Sequence, residues 1–187
     1  MPVIILDLYG GPDFVYVKIE MSSSGTDMRD PLPRFVCDDN LGKLARYLRA
    51  GGFDTVYDRD IDDNRLIHVS LDDKRYILTR DKRLVERRLV RYYHLIVSDR
   101  LEDQLKSVIH EFGLAFSRSR MFTRCLEDNA PTREIAKREI KGRVWPYTYE
   151  HHDDYRECPE CGRIYWSGSH VQAMLARLEH SGIPVID

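Results

Sequence analysis

The sequence predicts an α/β domain with a parallel sheet flanked by helices, a β-hairpin extension ahead of it and a small cysteine-bearing region behind it. Three observations carry that prediction. From Arg34 onward short β-rich runs alternate with helical periodicity, each of those runs ends in aspartate, and Cys158-Pro159-Glu160-Cys161-Gly162 forms a CxxC knuckle near the C-terminus.

Taken in order, Val3–Leu8 and Phe14–Glu20 read as two strands around the turn cluster Gly10-Gly11-Pro12-Asp13. Met21–Pro33 has the serine, glycine and proline content of a linker. Residues 1–33 are therefore expected to form a hairpin and linker, serving either as an extra edge strand or as a docking element for a protein partner. Arg34–Cys37 is a short apolar strand. Leu41, Leu44, Ala45 and Leu48 then recur at helical spacing until Gly51-Gly52 stops the helix. Asp54–Tyr57 reads as the second strand, and a helix over 63–71 follows with Asp62 as its N-cap. Tyr76–Thr79 is the third strand, residues 82–90 the next helix, and Tyr92–Val97 the fourth strand. Leu101, Leu105, Val108, Ile109 and Phe112 share one face of the following helix, with Ser98 or Asp99 as cap and Gly113 at its end. These elements place the α/β domain at residues 34–115. Residues 116–187 form a further region with an aromatic run at Val144–Tyr149, a strand over Arg163–Trp166, and a last helix with Val171, Met174, Leu175 and Leu178 on one face.

Lysine plus arginine (29) nearly balance aspartate plus glutamate (31), so any nucleic-acid affinity must come from local patches. Hydrophobic residues at 42% argue against global disorder. No apolar run approaches the roughly 20 residues that span a bilayer, so no membrane partner is expected. The N-terminus lacks the basic and apolar parts of a signal peptide, which points to an intracellular, cytoplasmic and reducing compartment. The four cysteines accordingly read as thiols or metal ligands before disulfides, with Cys37 an inert core thiol.

The placement of the carboxylates carries the chemistry. In a parallel α/β sheet, ligands bind outside the carboxyl ends of the strands. Asp38, Asp62 or Asp63, Asp81 and Asp99 all follow strands and would converge there. Like charges crowd unfavourably unless a hard cation such as Mg²⁺ or Mn²⁺ neutralises them, and such a site activates water and clamps a phosphoryl group. Aspartates are also frequent helix N-caps, which is the competing reading. Lys43, Arg46 and Arg49 form a charged face on the first helix, away from its leucines. Lys74–Arg91 holds eight basic residues, among them Arg80, Lys82, Arg83, Arg87 and Arg88, against Asp81 and Glu86. A basic surface beside an acidic cluster suits the binding of a phosphate backbone near a metal site, and Tyr92 and Tyr93 could stack on bases. Cys125-Leu126-Glu127-Asp128 matches the CxxC knuckle with its second ligand changed to aspartate. Three thiolates with Asp128 suit a structural zinc ion, and His152 or His170 could supply the fourth ligand instead.

Phe35–Arg49, Asp62-Asp63, Leu78-Thr-Arg-Asp81, Cys125–Asn129 and Cys158–His170 together resemble the Mut-seven C-terminal RNase family over residues 34 to 180. The resemblance implies a PIN-like nuclease fold with an appended zinc ribbon. It implies that Asp38, Asp62 or Asp63, and Asp81 are metal-binding acids, with Asp99 a further candidate, and that Cys125, Cys158 and Cys161 are ribbon ligands. The chain departs from the family at Asp128, where cysteine is usual. The function expected is a metal-dependent ribonuclease that binds RNA through its basic surface. The alternative is a non-catalytic RNA-binding and protein-docking module that assists an associated exoribonuclease.

Overall fold

A computed structural model describes residues 32–187. The expected N-terminal hairpin lies outside the described residues. The chain forms β1 (Phe35–Cys37), α1 (Gly42–Ala50), β2 (Thr55–Tyr57), α2 (Asp63–Asp73), β3 (Tyr76–Thr79), α3 (Lys82–Val85), β4 (Tyr93–Leu95) and α4 (Leu101–Glu111). It continues through β5 (Phe116–Ser117), β6 (Arg133–Ile135), α5 (Pro146–His151), β7 (Tyr155–Glu157), β8 (Ile164–Trp166), α6 (Ser169–His180) and β9 (Val185–Ile186). None of the described helices is long and apolar enough to cross a membrane.

The first four strands make one sheet in the order β2-β1-β3-β4, and every pair in it is parallel. Period-two alternation divides its side chains between two cores. Phe35, Cys37 and Leu78 face a large cluster with Leu44 and Leu48 of α1, Val108 of α4 and Leu175 of α6, whereas Val36 and Ile77 face Leu66, Ile67 and Leu84. The chain moves outward from β1 to β2 and then back across β1 to β3. Right-handed crossovers in those two directions put α1 and α2 on opposite faces. Both faces are thus covered, as a fully parallel sheet requires. Two smaller sheets follow, a parallel pair of β5 with β9 and an antiparallel β6-β7-β8.

Three local expectations change. The helix expected over 82–90 ends at Val85, where Leu84 is its one buried residue, while Leu89 stays 56% exposed and turns at Arg87 and Val90 bring Val90 against the same core. The N-cap of α4 is Arg100 rather than Ser98 or Asp99. The Ser98 hydroxyl accepts the Arg100 N–H just ahead of the helix and donates to the Asp103 carboxylate. Arg75 leaves the basic surface, because it is buried at the amino end of β3 and paired with Asp54 at 2.7 Å and Asp73 at 2.9 Å.

Asp54 also accepts from Asn129 at 2.7 Å and Arg34 at 3.1 Å, and Arg124 lies 3.4 Å away. Burial works against its ionisation, but the hydrogen bonds from Arg75 and Asn129 and the charges of Arg124 and Arg75 outweigh it and hold the carboxyl down at about 2. A carboxyl depressed in the folded state stabilises the protein above its unfolded pKa, and that contribution is lost as pH falls through the folded value. Asp54→Asn is expected to cost roughly 2 kcal/mol at neutral pH. The penalty should shrink between pH 4 and 2 when the two proteins are compared by thermal melts; a penalty that does not vary with pH would assign the loss to packing rather than charge.

Candidate functional site

The reversal of strand order falls between β1 and β3, and the crevice outside the carboxyl ends at such a point is where open α/β sheets bind ligands. Asp38 directly follows β1, and Asp81 stands two residues past β3. Thr79, the last residue of β3, links them: its hydroxyl donates to Asp38 Oδ2 at 2.5 Å and accepts the Asp81 N–H at 2.9 Å. The other Asp38 oxygen accepts the Asp39 N–H at 2.9 Å. Asp38 is 9% exposed. Its burial, together with the neighbouring charges of Asp39 and Asp63, pushes its carboxyl above the usual range despite those hydrogen bonds. Asp38 is thus a carboxylate whose charge the chain compensates poorly, and no three acids of this edge form a metal-sized cluster among the described residues.

The remaining acids are deployed differently. Asp62 caps α2, with one carboxylate oxygen accepting the N–H groups of Asn64 and Arg65 at 2.8 and 3.0 Å. Asp63 is the acid whose charge reaches Asp38, and it pairs with Arg87 at 3.3 Å. Asp81 caps α3 through Oδ1, which accepts the Arg83 N–H at 2.7 Å. Asp99 lies with Asp39 and Asp58 along a groove of about 960 Å³ that Lys43, Arg46 and Glu127 also line. A second cleft, of about 540 Å³, holds Asp81 between Arg80 and Lys82. Asn40 lines both, so it stands where the two meet. Arg83 and Arg88 are exposed, whereas Arg87 is half-buried and also donates to Asn64. Sequence reasoning assigned no role to Thr79 or Asn40. The available signal was position, a hydroxyl at the last residue of a strand and an amide three residues past another.

The cysteine region is built from two equivalent turns. In one, the Asn129 N–H donates to the Cys125 carbonyl and the Cys125 N–H to the Ala130 carbonyl. In the other, the Gly162 N–H donates to the Cys158 carbonyl and the Cys158 N–H to the Arg163 carbonyl. The fifth residue of each is left-handed, Asn129 at φ 65 and Gly162 at φ 70, a conformation asparagine and glycine tolerate. Superposing the turns by their hydrogen bonds puts Asp128 in the place of Cys161. Ligand atoms of Cys125, Asp128, Cys158 and Cys161 lie within 4.8 Å of one another, and no histidine joins them among the described residues. The Cys125 and Cys161 sulfurs are 3.6 Å apart, and Cys158 Sγ is 3.4 Å from each Asp128 oxygen. Tetrahedral zinc with Zn–S bonds of about 2.3 Å sets its ligands about 3.8 Å apart, so the spacing fits. Desolvation opposes ionisation of Asp128, but hydrogen bonds from Cys125, Cys161, the Ala130 N–H and Cys158 hold it at about 2. Desolvation and the crowding of these neighbours push the Cys161 thiol up to about 12. The cluster is therefore a candidate metal site, consistent with structural zinc.

Arg49 is not part of a solvated face. It is 3% exposed and donates to the carbonyls of Thr55, Leu126 and Glu127 at 2.8, 2.9 and 2.7 Å, tying the first knuckle to β2. The Asn129 side chain repeats the tie, accepting the Thr55 N–H at 3.0 Å. The two centres are thus parts of one packed unit.

No curated protein and no solved structure matches the chain. A family model described as the Mut7-C RNAse domain matches residues 33–178, a stretch that runs from β1 through both knuckles and into α6. The acidic edge and the paired knuckles both fall inside that stretch, and the chain belongs to the Mut7-C RNAse domain family.

Proposed function

We propose that the chain is a metal-dependent ribonuclease of the PIN type, with residues 34–115 carrying the chemistry and 116–187 the zinc-bearing ribbon. The observation that supports this most is the Thr79 hydroxyl joining Asp38 to the Asp81 backbone at the crevice between β1 and β3. Asp38, Asp81 and Asp63 would hold Mg²⁺ or Mn²⁺, with Asp99 facing the adjoining groove. Asp62 is less suited, because its carboxylate already accepts two helix N–H groups. A divalent cation at such a site supplies a water of lowered pKa and positive charge for the scissile phosphate. The chain itself supplies orientation and backbone binding. Thr79 fixes the Asp38 carboxylate, and Arg80 and Lys82 flank Asp81 where a phosphate would lie. Lys43, Arg46, Arg83, Arg87 and Arg88 extend the basic surface, so binding should weaken as salt rises.

The test is cleavage of a labelled RNA by the purified chain in Mn²⁺, with Asp81→Asn as control. Asparagine caps a helix about as well as aspartate, so α3 should persist while the charge is lost. Cleavage by the wild type alone, with RNA affinity kept in the variant, supports the reading. RNA binding without Mn²⁺-dependent cleavage would overturn it in favour of the non-catalytic docking module.

A further inference from the structure

Beside the acidic groove lies a third cleft, of about 440 Å³, lined by Arg46, Glu127, Arg143, Trp145, Arg163 and Trp166. Arg46 and Glu127 also line the groove that holds Asp39, Asp58 and Asp99, so the two clefts adjoin across the Arg46–Glu127 pair. The chain has two tryptophans, and both line this cleft. Trp145 is 80% exposed although indole is among the side chains that gain most from burial. Its backbone is extended (φ −61, ψ 144), the conformation that Pro146 at the first position of α5 imposes on the residue before it. Three arginines and one glutamate line it, and Arg143 is itself paired with Glu157 at 2.5 Å. Glu127 is already paired with Arg46 at 3.1 Å, an exposed contact that a phosphate can replace.

We infer that this cleft stacks the bases of single-stranded RNA, with Trp145 as platform and Arg143 and Arg163 beside it for the backbone. The inference rests on the ribonuclease reading and gives it a substrate class, unpaired RNA running from the acidic edge onto the ribbon. Aromatic faces interleaved with arginine along a groove are how single strands are held without sequence preference. A base buried in a duplex offers no such face. Tryptophan and arginine also anchor protein interfaces, but adjacency to the acidic groove favours a polyanion that occupies both.

Because both tryptophans line the cleft, the fluorescence of the zinc-loaded full chain, excited to the red of tyrosine absorption, reports on it. An oligouridylate of about a dozen nucleotides, titrated without added Mg²⁺ or Mn²⁺, should quench that fluorescence. Trp145→Ala should weaken its binding roughly 5- to 100-fold, whereas Trp145→Phe, which keeps an aromatic face, should stay within about threefold. Neither variant should change affinity for an RNA duplex or lower the melting temperature. Equal oligouridylate affinity in the wild type and Trp145→Ala, without quenching in the wild type, overturns the stacking site while leaving the nuclease reading in place, since the basic edge around Arg80 and Lys82 would then carry the affinity. A cleft made for a protein partner gives that same result. No binding of either RNA by the wild type overturns the inference and the reading beneath it together.

Discussion

Asp38→Asn is expected to lower Mn²⁺-dependent RNA cleavage by about 10²-fold or more while leaving the melting temperature equal or higher. The two effects have one origin. Asp38 is nearly buried, and the charges of Asp39 and Asp63 bear on it, so its ionised form is held at a cost to folding that a bound cation offsets. Asparagine removes that charge and loses only the hydrogen bond that the Thr79 hydroxyl donates. Its carbonyl can accept the Asp39 N–H, and its amide can donate to the Thr79 hydroxyl, which has a lone pair to spare after accepting the Asp81 N–H. A structural aspartate would behave in the opposite way, losing stability and leaving any cleavage intact. Circular-dichroism melts and a Mn²⁺ cleavage assay on the same preparation separate the two. Retained cleavage would remove Asp38 from the metal site, and a large fall in melting temperature would assign it to structure.

How far this arrangement was legible in the sequence depends on whether the signal was local. Tyr76–Thr79 is a run of β-forming residues with an aspartate two residues beyond it, and the structure has that strand with those bounds. The cap Asp62 was legible for the same reason, since a cap and its helix are neighbours in the chain, whereas Asp81 was read as a metal-binding acid with capping as the competing reading. The parallel order followed from alternation of strands and helices, which leaves few topologies once crossovers are right-handed. What the sequence hid was pairing at long range. β5 and β9 have two residues each and lie at opposite ends of the C-terminal region, so neither carries a period to read. The same limit applies to β6, whose Arg133-Glu134-Ile135 is mostly exposed and becomes a strand only beside β7. The cleft at the ribbon was equally invisible, because it brings Arg46 of α1 together with Trp145 and Trp166 far along the chain.

Arg49 shows the same limit at a single residue, and its replacement carries the second large effect expected here. On a helical wheel it sits four residues after Ala45, at the flank of the apolar stripe, so its burial was readable only by weighing that position against its charge. Its guanidinium serves three carbonyls at once, Thr55 of β2 and Leu126 and Glu127 of the Cys125–Asp128 turn. Arg49→Met keeps much of the volume but leaves those acceptors without a donor, at a cost of about 3 kcal/mol or more. For a chain of this size that corresponds to a melting temperature lower by roughly 6–12 °C. The knuckle loses its anchor as well, so zinc affinity measured by chelator competition should fall with it. Arg49→Lys should recover only part of either effect, because a single ammonium cannot reproduce the planar fork that reaches both elements. A melting temperature within about 2 °C of the wild type in Arg49→Met, less than about 1 kcal/mol for a chain this long, would show instead that Asn129, through Thr55 and Asp54, holds the knuckle to the sheet without help.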